Sequence, residues 1–453
     1  MKKMLIALLL VQLLGCAAVA PLPPGATLDA AQRAEAFDTV RHRVREQYVD
    51  PQLRGVDWDA SAARLRPQAL AAATDEQFWE LLDRLTAELG DAHTQVLSPR
   101  RHAWWKAKQS LTLGLRVNEI AGELVVTGVA PGSDAERQGL KPGDAVQRIA
   151  GQPALDWWHA TLADARKSST PRAQLRSAAR RLNAGDAGST EPTLALDLEA
   201  GGQRRQHMLT RALLPDRPVM SSQLLPSGHG YLRLSAFDPD LAKRTPLGVA
   251  LFDLRQAPGL VIDLRQNSGG SMAMATTLLT ELFPRKVAVG KLLTRDGKPL
   301  TRLFGLFNVT GTELMTHGNA APYGGAVVVL VDEGSASASE LVAAALQGLG
   351  RAQVVGRTSC GCLLGVQGLI ELPGGGALSF SQVDFALQGS PRIEGRGVVP
   401  DVAVPLDRAA LQAGRDPDLE AAVALLGRLA ARGPVAAKPL SAPTPAAAPM
   451  QPR

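Results

Sequence analysis

Cysteine is nearly absent: Cys16, Cys360 and Cys362 are the three in 453 residues. Cys360 and Cys362 stand one glycine apart, a spacing at which a disulfide is strained, and without a histidine beside them they make a poor zinc site. Neither disulfides nor zinc are expected to hold the chain together. Charge of one sign is also scarce. The formal net charge is +6, from 49 Lys and Arg against 43 Asp and Glu, too small an excess over so large a surface for a groove that tracks nucleic-acid phosphates. Glycine and proline, 44 and 31 residues, stay well below the ~25–30% share of low-complexity chains. Collagen, zinc-finger, coiled-coil and wholly disordered classes are excluded. What remains is a chain with 45% hydrophobic residues, ample for a core and long enough for roughly three domains.

Long hydrophobic runs are missing except at the start. Residues 1–16 read MKKMLIALLLVQLLGC, two lysines followed by an apolar stretch from Met4 to Leu14. A membrane-spanning helix needs ~20 residues, so residues 1–15 read as a signal peptide. Leu13-Leu14-Gly15-Cys16 resembles the bacterial lipobox, and that resemblance implies lipid attachment at Cys16. Ala17 after it resembles an outer-membrane address, which implies a periplasmic protein held to the envelope by its lipid. An ordinary secretory peptide cut after Ala18 or Ala20 is the alternative. Residues 16–28 then form a tether.

Residues 29–108 carry helical spacing. Ala34, Phe37, Val40 and Val44 form one stripe, and Phe78, Leu81, Leu82, Leu85 and Leu89 another. Thr74 with Asp75 predicts a helix start and Gly90 a stop. From about 109 to 212 the pattern changes to short strands at 113–117, 124–129 and 146–149, with a short helix after Pro131-Gly132-Ser133, a helical insertion over 155–190 and a returning strand at 193–198. The run through Leu140-Lys141-Pro142-Gly143-Asp144 resembles a PDZ domain of the bacterial, protease-associated type. The resemblance implies a peptide-binding loop at Leu113, Gly114 and Leu115, whose N–H groups receive a peptide carboxylate. A small β-rich domain that only packs on its neighbours is the alternative. Over 213–431, strands at 231–234, 259–264, 326–331 and 353–355 alternate with helices at 271–283 and 338–349, and a last helix covers 418–430. That alternation predicts βαβ units and a mostly parallel sheet. Residues 432–453, rich in Ala and Pro, read as a disordered tail.

Two turns carry candidate chemistry. The strand Val327–Val331 runs through Asp332-Glu333-Gly334-Ser335-Ala336 into Ser337 and a helix. A serine at a strand-to-helix turn of small residues is held out from the sheet beside a helix N-terminus. Ser337 with Glu340 also fits a helix capping box, a purely structural role. Val261–Arg265 runs into Gln266-Asn267-Ser268-Gly269-Gly270, where paired glycines leave N–H groups open, as an oxyanion hole requires. In a parallel sheet both turns fall at one edge.

Together with Phe37–Asp59, Gly90-Asp91-Ala92-His93-Thr94, Val354-Val355-Gly356 and Glu394–Asp401, these runs resemble the C-terminal processing peptidases, the tail-specific and tricorn-core serine proteases. The resemblance implies an α/β multidomain protein: a helical N-terminal domain, a PDZ domain and a βαβ, crotonase-like catalytic core. It implies Ser337 as nucleophile, with the N–H groups of Ala338 and of Gly269 or Gly270 as oxyanion donors. The tail-specific branch uses a lysine base, but Cys362 stands at that position, and no lysine occurs between Lys298 and Lys438. The tricorn-like branch uses Ser, His and Glu, and His93 and Glu394 occupy its positions. Imidazole, with an ordinary pKa near 6.5, can take a serine proton at neutral pH, and a carboxylate fixes its tautomer. The competing reading of His93 is a helix-end histidine bonded to Asp91 or a carbonyl. That of Glu394 is a salt bridge to Arg392 or Arg396.

The expectation is an exported, lipid-anchored serine endopeptidase that acts on proteins or peptides through an acyl-enzyme, binds their segments at its PDZ, uses no metal or organic cofactor and binds no nucleic acid. Two rivals stand beside it: a catalytically inactive PDZ-bearing scaffold, and a thiol-dependent activity at Cys360 or Cys362.

Overall fold

The computed structural model describes residues 27–185, 191–295, 302–303, 307–308 and 313–431. The signal segment with Cys16, and the tail from 432, lie outside the described residues.

Helices at Ala30–Gln47, Trp58–Leu70 and Asp75–Ala87 open the chain. Asp29 caps the first, its side chain accepting from Gln32 N–H while the Gln32 side chain accepts from Asp29 N–H, and Thr74 caps the third, each satisfying donors a helix start leaves open. Phe37, Val40, Val44, Phe78, Leu82 and Leu85 are buried as their spacing predicts. These helices do not close a core alone: Leu372, Leu378 and Phe380, from far along the chain, complete the same cluster. The short strand Gln95–Leu97 pairs antiparallel with Ala377–Ser379. The front of the chain is thereby sewn to the late segment, and this seam positions the site.

The PDZ region is an antiparallel sheet in the order 115–120, 123–129, 145–149, 193–200, 203–210. Its first strand begins at Leu115, two residues later than the alternation suggests, because Gly114 takes a positive φ of 92° and turns the chain. The helical insertion is two helices, Ala154–Ala163 and Pro171–Ala184, packed through Trp158, Ala178 and Leu182 onto the sheet.

The core sheet runs 220–224, 230–234, 259–263, 326–331, 353–356, 402–403. Its first pair is antiparallel and the others are parallel. Val327, Val329 and Val331 face the helices Met272–Thr280 and Ala338–Gly348, whereas Val328 and Leu330 face the final helix Pro417–Ala431. The alternation follows from the two-residue period of a strand, and covering both faces explains why that strand is apolar throughout. Each such side chain stabilises the fold by ~1.5–3 kcal/mol relative to exposure. A second antiparallel sheet, 313–315, 288–294, 383–387, 364–365, has no counterpart in the sequence expectations. Its strands are short and their partners lie far apart in sequence.

Candidate active site

The two turns meet as parallel pairing requires. Ser335 Oγ donates to the Leu264 carbonyl at 2.8 Å, and Asp332 accepts from Gln266 N–H at 2.8 Å. Ser339 Oγ and Ala336 N–H both donate to the Asn267 carbonyl. Ser337 itself has φ 56° and ψ −119°, a conformation that non-glycine residues adopt at a cost of order 1–3 kcal/mol and that pushes a nucleophile out of a strand-to-helix turn. Gly269 lies so close that a Cβ there would sit 2.7 Å from Ser337 Cβ and 2.9 Å from Ala338 N. The N–H of Gly269 is engaged by Asn267 Oδ1 at 2.9 Å. Gly270 and Ala338, the residues that follow Gly269 and Ser337, carry the next N–H groups at this edge.

Glu340 anchors the floor beneath the serine. It is fully buried, and its carboxylate accepts from Ser359 Oγ at 2.5 Å, Gly361 N–H at 2.6 Å, Cys362 N–H at 2.8 Å and Ser337 N–H at 3.1 Å. Burial pushes its pKa up, and those four donors pull against it. The capping contact the spacing suggested is thus present from the Glu340 side, but it belongs to a larger structure that holds the 359–362 loop under Ser337. Ser337 N–H also donates to the Cys362 carbonyl at 3.2 Å.

One expectation is corrected here: Cys360 and Cys362 are joined in a disulfide, with Cα atoms 5.3 Å apart. Gly361, at φ 76°, lets the chain double back, and a side chain there would strike Thr170 Cγ2 at 2.6 Å. Where the tail-specific branch carries its lysine, this chain holds a bonded, buried sulfur.

His93 is carried in by the seam. Ser379 Oγ donates to the His93 carbonyl at 2.9 Å, and Ser381 N–H donates to Thr94 Oγ1. Ala92 packs against the cluster of Ala173, Ala336, Cys360 and Cys362, so the residue before His93 joins the cluster that holds the residue before Ser337. Asp91 accepts from the His93 backbone N–H at 2.8 Å and from Thr94 Oγ1 at 2.5 Å. Its burial is outweighed by nearby His93 and by hydrogen bonds, which hold its pKa below the usual carboxylate range. The Asp91 contact is therefore made to the backbone, and the His93 ring Nδ1 is buried with no hydrogen-bond partner among the described residues. Burial, with Arg176 nearby, lowers the His93 pKa despite Asp91. The imidazole is neutral at pH 7.

Glu394, 4% exposed, pairs with neither Arg392 nor Arg396. Its Oε1 accepts from Arg54 Nη1 at 3.0 Å, and its Oε2 is buried with no hydrogen-bond partner among the described residues. Burial, then the like charge of Asp91, pushes its pKa up to about 7, with Ser169 and Arg54 opposing. Ser169 Oγ also accepts from Ala92 N–H, and Gly395 N–H donates to the Gly361 carbonyl. The segments bearing His93, Ser337 and Glu394 are thus joined through one set of loops. His93 Nδ1 and Glu394 Oε2 are complementary, one able to donate and the other to accept. Arg54 is a site residue that the sequence reading passed over, whereas Glu340 and Asp91 entered it only as a helix-cap partner and a possible partner of His93. The Leu53-Arg54-Gly55 turn, with all three φ values positive, gives no periodic signal.

The PDZ loop has an occupant of its own. Asn183 Oδ1, near the end of the helix Pro171–Ala184, accepts from Leu115 N–H at 3.0 Å and shares Gly114 N–H, at 3.1 Å, with the closer Thr112 Oγ1 at 2.8 Å, while its Nδ2 donates to the Leu115 carbonyl at 2.8 Å. Leu113 is fully buried. The same helix reaches the catalytic loops, where Arg172 Nε donates to the Ser359 carbonyl at 2.7 Å and Ala173 packs on Cys360 and Cys362.

Residues 228–404 match the description "Peptidase family S41", residues 29–87 "Tricorn protease C1 domain" and residues 106–176 "PDZ domain". This chain carries a peptidase family S41 domain. It is 28% identical over 90% of its length to the putative tricorn protease homolog 2 of Streptomyces coelicolor, and covers 33% of that relative. It is 27% identical to the carboxyl-terminal-processing protease of Picosynechococcus sp., over 80% of this chain and 81% of that one. Among solved structures it is similar to mature CPAF, with a TM-score of 0.68, 17% identity, 90% of this chain and 99% of that chain covered, a likeness of fold. The mixed α/β architecture of helical front, PDZ and peptidase core agrees with the expected fold class.

Proposed function

We propose that this chain is an exported serine endopeptidase in which Ser337 is the nucleophile, His93 the general base and Glu394 the group that orients His93. Ser337 Oγ attacks a peptide carbonyl carbon as its proton passes to His93, and the oxyanion is met by the N–H groups of Gly270 and Ala338. His93 then gives the proton to the departing amine, leaving an ester on Ser337. Water, deprotonated by His93, hydrolyses the ester. A bond from His93 Nδ1–H to Glu394 Oε2 would satisfy both orphaned atoms and stabilise the imidazolium. The observation that carries this reading is Ser337 at positive φ, pressed against Gly269, with the His93 segment packed through Ala92 on the same loops.

The PDZ would hold protein or peptide substrates at Gly114 and Leu115 once Asn183 withdraws, and Cys16 would tether the enzyme by lipid to the periplasmic side of the outer membrane. No helix among the described residues is long and apolar enough to cross a membrane.

The test is hydrolysis of an unfolded protein by Ser337→Ala and His93→Ala, alongside labelling with a fluorophosphonate probe. A loss of roughly 10⁴-fold or more in each variant, with folding unchanged, is expected. Turnover that survives Ser337→Ala would remove the mechanism, and failure of the intact protein to label or hydrolyse would favour the inactive scaffold. A thiol mechanism has no support in a pair of sulfurs bonded to each other.

A further inference from the structure

The helix Pro171–Ala184 presents Arg172, Arg176 and Arg180 at four-residue intervals, hence on one face. Arg172 is engaged by carbonyls of Ser359 and Arg396. The next two are not. Arg176 has one hydrogen-bond contact among the described residues, a 4.0 Å approach of Nη1 to Cys360 Sγ, and Arg180 has no hydrogen bond or ion pair there. Both side chains are open to solvent yet walled by protein. Burial lowers the Arg176 pKa, and burial followed by Arg101 and Arg176 pushes that of Arg180 down to about 10. The acid that faces Arg180 is Asp83, which lies 3.5 Å from Arg166 and accepts from Val96 N–H. Arg101, in turn, is turned toward Gln95. Glu340 and Asp332 act on Arg176 and Asp83 on Arg180, yet none of them forms an ion pair with either guanidinium among the described residues, so this helix face keeps positive charge open to an anion.

This space adjoins the reacting groups. Arg176 is near enough to His93 to depress its pKa, and it touches Cys360, whose N–H donates to the Ser335 carbonyl in the turn before Ser337. Arg180 lies one turn further, ~6 Å along the helix, about two residues of an extended peptide at ~3.3 Å each. A guanidinium fork is built to take a carboxylate through paired N–H bonds.

We propose that Arg176 and Arg180 form a carboxylate subsite, so that the enzyme selects peptides bearing an acidic side chain or a terminal carboxylate within a few residues of the bond it cuts. The proposal rests on the reading of Ser337 as nucleophile and names the substrate chemistry of that same cleft.

The experiment uses the full chain with Ser337→Ala, so that peptides stay whole, and fluorescent peptides read by anisotropy. One pair differs by a single internal Glu against Gln, with amidated ends to keep the PDZ loop out of the comparison; a second pair has a free against an amidated C-terminus. Expected is binding of the acidic member about 10-fold tighter at low salt, with the preference shrinking as salt rises. Adding Arg180→Gln abolishes the preference, and Arg180→Lys restores part of it. Arg180 makes no hydrogen bond or ion pair among the described residues, so this variant carries the test if Arg176→Gln fails to fold. A preference in the first pair assigns the subsite to acidic side chains; one confined to the second assigns it to the chain end. Equal affinity within both pairs, or a preference that survives Arg180→Gln, overturns the proposal. The wild-type protein is then given the same peptides. Hydrolysis without charge preference sinks the subsite and leaves the peptidase mechanism standing. Charge-selective binding with no hydrolysis does the reverse.

Discussion

Arg54 reaches Glu394 across 340 positions of sequence at 3.0 Å. Arg54 holds the carboxylate of a buried Glu394 that would otherwise be still more easily protonated than its pKa of about 7 implies. If an ionised Glu394 supports the imidazolium, kcat/KM rises as pH climbs through that value. Removing the cation raises the Glu394 pKa, so Arg54→Gln moves the acid limb of the pH profile upward by roughly one unit. An unmoved limb would separate Glu394 from catalysis.

Ser337 sits at φ 56°, where alanine is strained as much as serine and glycine is not. Ser337→Gly is therefore expected to be more stable than Ser337→Ala by about 1 kcal/mol, strain relief being partly offset by the flexibility glycine adds to the unfolded chain. Both variants are inactive. Denaturant midpoints of the two proteins measure the difference, and a less stable glycine variant would show that the turn stores no strain.

Four donors converge on Glu340. Glu340→Gln keeps the shape but sets an NH2 group against N–H donors, leaving buried polar groups unpaired. A loss of about 2–4 kcal/mol in unfolding free energy is expected, with a fall in kcat because the loop beneath Ser337 loosens. Wild-type stability in that variant would mean the contacts are dispensable.

Asn183 occupies the N–H groups expected to receive a peptide carboxylate. Asn183→Ala should cost about 1–2 kcal/mol of stability through its lost hydrogen bonds. It should also tighten binding of a free C-terminus about 5-fold, while an amidated peptide is unaffected. Calorimetric titration of the two peptides checks this; unchanged affinity for the free terminus would place the peptide site elsewhere.

The sequence by itself determined the local pieces. Spacing of Phe37, Val40 and Val44 marks a helix face, the run Val327–Val331 a strand covered on both sides, and the small residues up to Ser337 a tight turn, because each depends on a few consecutive residues. The motif around Gly90–Thr94 singled out His93 by resemblance. The tertiary structure alone decided what those pieces meet. That Leu378 and Phe380 complete the core of the first helices, that Ala92 packs against the cluster of Ala336, Cys360 and Cys362, that Arg54 faces Glu394 and that Asn183 fills the PDZ loop are contacts between distant segments. Neither member of such a pair carries a local pattern that names the other. Cys360 and Cys362 make the same point at short range: their spacing argues against a bond, and Gly361 at positive φ brings them together. Local periodicity reflects which side of an element is dry, whereas a catalytic constellation is a matter of which elements the shared core forces into contact.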